Sequence, residues 1–175
     1  LLSDYLLRTI SDRQKRMYLL NHYLEGFRAT VFRQTMFAEF EHLIHRKEQN
    51  NEALTAESMT KDYYELNQKY YGTDGLVIDE AIGLEWARIP HFYYNYYVYQ
   101  YATGFSAATA LSNAILEEGK PAVEKYTEFL KAGSSDYPLE VLKKAGVDMT
   151  AKKPIEDACR VFAEKLAEFE QLLLG

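Results

Sequence analysis

The chain has 175 residues, 47% of them hydrophobic and 26% charged, with a net charge of −6 and a pI near 5.3. That length can bury one ordinary core, and the composition excludes a disordered chain. An acidic balance with no basic run argues against phosphate-backbone binding, and no run of eighteen apolar residues marks a membrane span, so neither nucleic acid nor membrane is an expected partner.

Nearly everything reads as helix, with no sustained period-two alternation to mark a strand. The chain opens Leu1-Leu2-Ser3-Asp4 with no Met and no processing signature, so residues are expected upstream. A first helix is predicted from Leu2 to Ile10. Ser11 and Asp12 then signal a helix start, and one helix is predicted from Arg13 to Gln49. Met17, Leu20, Leu24, Phe27 and Val31 form one apolar stripe along it. Phe32, Met36, Phe40, Leu43 and Ile44 form a second, so contact on more than one side is expected. Such a helix spans roughly 55 Å, far beyond the radius of gyration of about 16 Å for a compact chain of this size. It should kink, protrude or pack against further polypeptide, and the last is favoured.

Thr55 caps a predicted helix that Gly72 ends after Tyr71. Residues 79 to 87 read as a short helix, which Pro90 breaks. A long helix is predicted from His91 to Glu118, ending at Gly119. Pro121 opens another, to Lys131. Gly133 to Asp136 is a loop, Pro138 to Ala145 a short helix, and Pro154 opens the last helix. Cys159, the only cysteine, precludes an internal disulfide and fits a reducing cytoplasm. It is expected to be a small buried hydrophobe.

Three constellations could carry chemistry. Glu39 and His42 are three apart on a helix, as in carboxylate-bridged di-iron bundles, but the second Glu-x-x-His such bundles need is missing. His42 and His45 could share a metal, though a charged helix face explains them more simply. HExxH, CxxC, GxSxG and the phosphate-cradling loop are all absent from these residues. The third is His91-Phe92-Tyr93-Tyr94-Asn95-Tyr96-Tyr97-Val98-Tyr99-Gln100-Tyr101, which holds six of the fifteen tyrosines. Buried phenols need hydrogen-bond partners, so this many hydroxyls suggest a wet cavity rather than a dry core. On a helix, Tyr94, Tyr97, Tyr101 and Gly104 would make one stripe, and Tyr93, Tyr97 and Tyr101 an overlapping one. Gly104, Ala107 and Ala108 would admit a close neighbour on that side. Phenol and imidazole donors there could stabilise an oxyanion. The plain alternative is a tyrosine-rich helix packing its rings in a core.

Ile82 to Tyr94, Ile-Gly-Leu-Glu-Trp-Ala-Arg-Ile-Pro-His-Phe-Tyr-Tyr, followed by Tyr97 to Gly104, resembles oligoendopeptidase F, a bacterial group of the thimet-type zinc oligopeptidases. Tyr18 to Arg28, Phe32 to Glu41 and Gly133 to Pro138 are similar to the same family, so the likeness runs over essentially the whole chain. The resemblance implies an all-α fold. Residues 1–175 would be a single helical domain or fragment, the multi-helix C-terminal part of a larger zincin-like oligopeptidase catalytic domain. It implies a cytoplasmic metalloendopeptidase that hydrolyses short peptides. In that family an HExxH helix supplies two zinc histidines and a catalytic glutamate, and a following helix supplies a third ligand. None lies in this sequence. Zinc is therefore expected in the full-length enzyme and not on this chain, with short peptides and the missing N-terminal part of the same protein as partners. No zinc role passes to His22, His42 or His45.

What the resemblance does carry over is the wall opposite the metal. His91, Tyr97 and Tyr101 match catalytic groups that meet the tetrahedral intermediate. Tyr94 and Tyr93 match substrate-binding groups. The isolated chain is expected to be inactive. The rival expectation is a non-enzymatic helical peptide-binding or interaction module.

Overall fold

The computed structural model describes every residue from Leu1 to Gly175 and has eight α-helices and no strand, so the fold is all-α. No helix is long and apolar enough to cross a membrane. Helix α1 spans Leu2–Thr9 and α2 spans Arg13–Phe27. The Asp12 side chain accepts from the Lys15 amide at 2.8 Å and so starts α2, as its sequence signal predicts. A π-helical stretch, Arg28–Phe32, joins α2 to α3, Arg33–Gln49. The single rod expected over 13–49 is therefore interrupted, because one turn carries an extra residue.

Helix α4 spans Ala56–Tyr71. The Thr55 hydroxyl accepts from the Ser58 amide and the Ser58 hydroxyl accepts from the Thr55 amide, each at 3.1 Å. Gly72 ends the helix at φ 76°, a left-handed conformation that favours glycine. Thr55→Ala removes half of this reciprocal cap and should lower stability by about 1 kcal/mol. Urea unfolding with an unchanged midpoint would rule the cap out as a stabilising element.

Two 3-10 segments follow, Glu80–Arg88 and Pro90–Tyr93. Helix α5 is Tyr99–Glu118, α6 Lys120–Ala132, α7 Pro138–Lys144 and α8 Lys153–Leu174. The helix expected from His91 thus begins eight residues late, at Tyr99. Residues 94 to 98 turn instead, and Asn95 and Tyr96 have φ of 47° and 63°.

The chain packs as two compact units: residues 1–28 with 103–175, and residues 29–102. In the first, Phe27 is fully buried, edge-on to Phe105 at 4.9 Å and tilted against Phe162 at 5.5 Å. Helix α8 lies along α2, where Arg16 Nε donates to Glu168 at 2.6 Å. Gly104, Ala107 and Ala108 line an apolar cavity of about 700 Å³ with Leu111, Phe129 and Leu142. A Cβ on Gly104 would meet nothing within 4 Å, so Gly104 faces open space rather than the close neighbour expected, whereas Ala107 is buried in a cluster with Leu111, Ala145 and Val147. Cys159 is exposed, contrary to expectation, because α8 turns Ala158 and Val161 inward instead.

In the second unit, Met36, Phe37 and Phe40 of α3 pack with Tyr63 and Leu66 of α4 and with Ile89 and Val98. The two apolar stripes read along 13–49 therefore feed different cores. Leu20, Leu24 and Phe27 serve the first unit, and Met36 and Phe40 the second. Helix α4 also supports the Glu80–Arg88 segment at very short range. A Cβ on Gly83 would lie 2.9 Å from Thr60 Cγ2 and 3.0 Å from the Thr60 carbonyl oxygen, so only glycine fits there.

Candidate functional site: a histidine–tyrosine cluster

Residues 89 to 101 are pinned inside the second unit by alternate apolar anchors. Ile89 and Val98 are buried, and Phe92 sits 5.2 Å from Phe40 and 5.6 Å from Phe37. Pro90 has no amide to donate and its fixed φ suits the first position of the tight turn that follows. The Tyr94 amide closes that turn on the His91 carbonyl at 3.0 Å. With Phe92 held inward, His91 and Tyr94 are left at the surface side.

The left-handed pair comes next. Asn tolerates such a φ, whereas a Tyr there costs roughly 1–2 kcal/mol. Two contacts from α3 hold it. The Tyr96 amide donates to Glu41 Oε1 at 2.6 Å, and the Tyr96 ring lies 4.5 Å from that of His45. The chain then enters α5, with the Tyr101 amide donating to the Val98 carbonyl at 3.3 Å.

This path gathers four rings. His91 stacks on Tyr97 at 6.0 Å with a 17° interplanar angle. Tyr101 stands edge-on to His91 and to Tyr97, at 5.6 Å from each. Tyr94 closes the group at 6.0 Å from Tyr97 and 6.2 Å from His91. His91 Nε2 and the Tyr101 hydroxyl are in hydrogen-bond contact at 3.2 Å, and the imidazole tautomer decides which one donates. A hydrogen bond with Tyr97 holds the Tyr101 phenol above its ordinary pKa. Tyr97 and Tyr101 are 40% and 38% exposed, so a ligand can reach both rings. Tyr93, 80% exposed, stands outside the ring contacts. Four of the five predicted residues therefore meet, but through a turn and not along one helical stripe.

Sequence reasoning missed the supports. Glu41 is 1% exposed. Its signal was present: it lies four residues after Phe37 and three before Ile44, on the buried face of α3. Glu85, 7% exposed, accepts from Arg33 Nη2 at 2.6 Å and from the Tyr63 hydroxyl at 2.7 Å, and pairs with Arg88. Burial alone would raise the Glu85 carboxyl, but the hydrogen bonds from Arg33 and Tyr63 and the two guanidinium charges win, and its pKa is lowered. This network ties the Glu80–Arg88 segment, and so Pro90, to α3 and α4.

The residues present do not fit a zinc site. No three His, Cys, Asp or Glu side chains gather at one place. Glu39 is engaged by Lys69 and by the Tyr70 hydroxyl. His45 Nδ1 contacts the Glu41 carbonyl at 2.7 Å, and His42 and His22 are exposed.

A profile of peptidase family M3 matches residues 1–161, and the chain belongs to that family. It is 69% identical over 174 residues to oligopeptidase PepF of Bacillus subtilis (strain 168), covering 99% of this chain and 26% of that protein. It is 52% identical over 173 residues to the group B oligopeptidase PepB of Streptococcus agalactiae, with 99% and 29% covered. The crystal structure of oligoendopeptidase-F from Enterococcus faecium superposes with a TM-score of 0.94 at 55% identity, covering 98% of this chain and 33% of that one. The chain thus spans about a quarter to a third of the length of these relatives.

Proposed function

We propose that residues 1–175 form the C-terminal part of the catalytic domain of a cytoplasmic zinc oligopeptidase that hydrolyses peptide bonds in short peptides. The zinc ligands of that enzyme lie upstream, outside this chain. The observation that carries the reading is the reachable cluster of His91, Tyr94, Tyr97 and Tyr101. Its exposed rings and hydroxyls leave room for a peptide to lie across them.

The chain's own share of the chemistry follows from donors. As a peptide carbonyl becomes tetrahedral, negative charge grows on its oxygen. Hydrogen bonds aimed at that oxygen strengthen as the charge develops, and so lower the barrier. Tyr97, Tyr101 and His91 supply such donors from side chains already held in mutual contact. Tyr94 extends the wall for the substrate backbone. Tyr93, standing apart, offers a ring and hydroxyl to a more distant part of the peptide.

A quenched fluorogenic peptide and a zinc assay test the division of labour. The full-length protein should cleave the peptide and carry zinc. Residues 1–175 alone should do neither. Cleavage with stoichiometric zinc by 1–175 would overturn the split site. A full-length protein that binds peptides without cleaving them would instead make this a non-enzymatic binding module.

A further inference from the structure

The geometry points to Glu41 as a positioning residue: its buried carboxylate holds the Tyr96 amide and keeps residues 94–98 out of the helix that would otherwise separate His91 from Tyr101. The inference rests on the functional reading above.

Between Pro90 and Gly119 there is one glycine, Gly104, and no proline, so nothing in the local sequence forbids helix from His91 onward. On a continuous helix, His91 and Tyr101 would be ten residues apart, a rise of roughly 15 Å. His91 Nε2 and the Tyr101 hydroxyl could not then stand 3.2 Å apart, as they do. The break in the helix makes the cluster. Something must hold Tyr96 at positive φ against the cost of a left-handed tyrosine.

Helix α3 does this at one place. Glu41 is almost fully buried on the face that carries Phe37 and Phe40. Its Oε1 accepts from the Tyr96 amide at 2.6 Å, and its Oε2 has no hydrogen-bond partner in the protein. A buried carboxylate with no cation against it is costly, and leucine would serve the core better. What the carboxylate does that leucine cannot is accept a charge-assisted hydrogen bond from the turn. One helical turn further on, His45 lies against the Tyr96 ring, so the same helix face grips the residue twice. The Glu41 hydrogen bond goes to the backbone of residue 96 and to none of the four cluster rings, so its effect on them passes through the turn.

The test uses the full-length enzyme with Glu41→Leu, Glu41→Gln and Tyr97→Phe. Glu41→Leu should lower kcat about tenfold with little change in KM, as misplacement of a donor does. Glu41→Gln keeps an acceptor and should stay near the parent. Tyr97→Phe should cost much less in the Glu41→Leu background than alone, since the two act on one interaction. Independently of activity, the His91 ring proton resonance should move when the stacked Tyr97 ring and the edge-on Tyr101 ring leave it, in Glu41→Leu and not in Glu41→Gln. In the parent, the Tyr96 amide should be protected from hydrogen exchange despite its place in an exposed turn. An unmoved His91 resonance in folded Glu41→Leu, or free exchange of the Tyr96 amide, overturns the positioning role. Normal kcat in Tyr97→Phe and His91→Ala would instead remove the oxyanion reading, and the resonance and exchange results would still decide the clamp.

Discussion

Tyr97→Phe in the full-length enzyme should lower kcat by about 10²–10³ and leave KM nearly unchanged, and His91→Ala should do the same. The size follows from the loss of one preorganised donor to a developing oxyanion, worth roughly 3–4 kcal/mol. A donor that acts only as charge develops contributes little to ground-state binding, which is why kcat and not KM should fall. Tyr97→Phe is the cleaner variant, because the ring remains to stack on His91 at its 6.0 Å spacing while the hydroxyl is lost. Steady-state kinetics on one short peptide is enough. A KM increase at constant kcat would demote these residues to substrate binding. Normal values of both would remove them from the site.

Glu85→Gln should destabilise the 29–102 unit by about 1–3 kcal/mol at neutral pH, because the buried Glu85 carboxylate is the anion that the partly buried Arg33 guanidinium pairs with. Arg33 loses its anionic partner at 2.6 Å, and the single oxygen that glutamine keeps cannot serve both Arg33 and the Tyr63 hydroxyl, which lies 2.7 Å from the other carboxylate oxygen and which burial has pushed well above the ordinary phenol pKa. The pH dependence has a definite sign. The Glu85 carboxyl titrates lower in the folded state than in the unfolded chain. Its stabilisation is therefore complete above the unfolded value, about 4.3, and drains away as pH falls below it toward the lower folded value. The parent should lose stability steeply in that acid range, and Glu85→Gln should lose less there. Urea melts at neutral pH and at two points below pH 4 measure both effects. Parallel acid losses in the two proteins would show that the network is not what holds the carboxyl down.

Much of the fold was legible where local signals act alone. Asp12, Thr55 and Gly72 mark helix ends because capping is settled within four residues. Pro90, Pro121, Pro138 and Pro154 each mark a boundary within about a residue, because a missing amide and a fixed φ are local facts. The break at 94–98 was not legible, because nothing in that stretch forbids helix. It comes from Glu41, fifty-five residues earlier in the chain, together with the burial of Val98. The π stretch at 28–32 likewise carries no proline or glycine signal. It falls where the two apolar stripes pass to different cores. Cys159 was misplaced because burial habits of free cysteine are averages, and on α8 the neighbours Ala158 and Val161 took the inward positions.

The candidate site was legible as chemistry and illegible as geometry. The density of hydroxyls behind Pro90 pointed to a wet, ligand-holding stretch, and the family resemblance singled out His91, Tyr93, Tyr94, Tyr97 and Tyr101 within it. Helical spacing of three and four was the wrong reason for grouping them, since a stacked His91 and Tyr97 need the turn. Tyr93 was grouped by that same spacing, and with the helix gone it stands outside the cluster.

The fit of Gly83 against Thr60 has a consequence for how the cluster is tuned. With 2.9 Å available to a methyl group, any side chain at 83 would act as a shim, levering the Glu80–Arg88 strip off α4. Pro90 and His91 ride on the far end of that strip. Position 83 therefore works as a set-screw, and a single added carbon far from the tyrosines would be felt as a displaced imidazole.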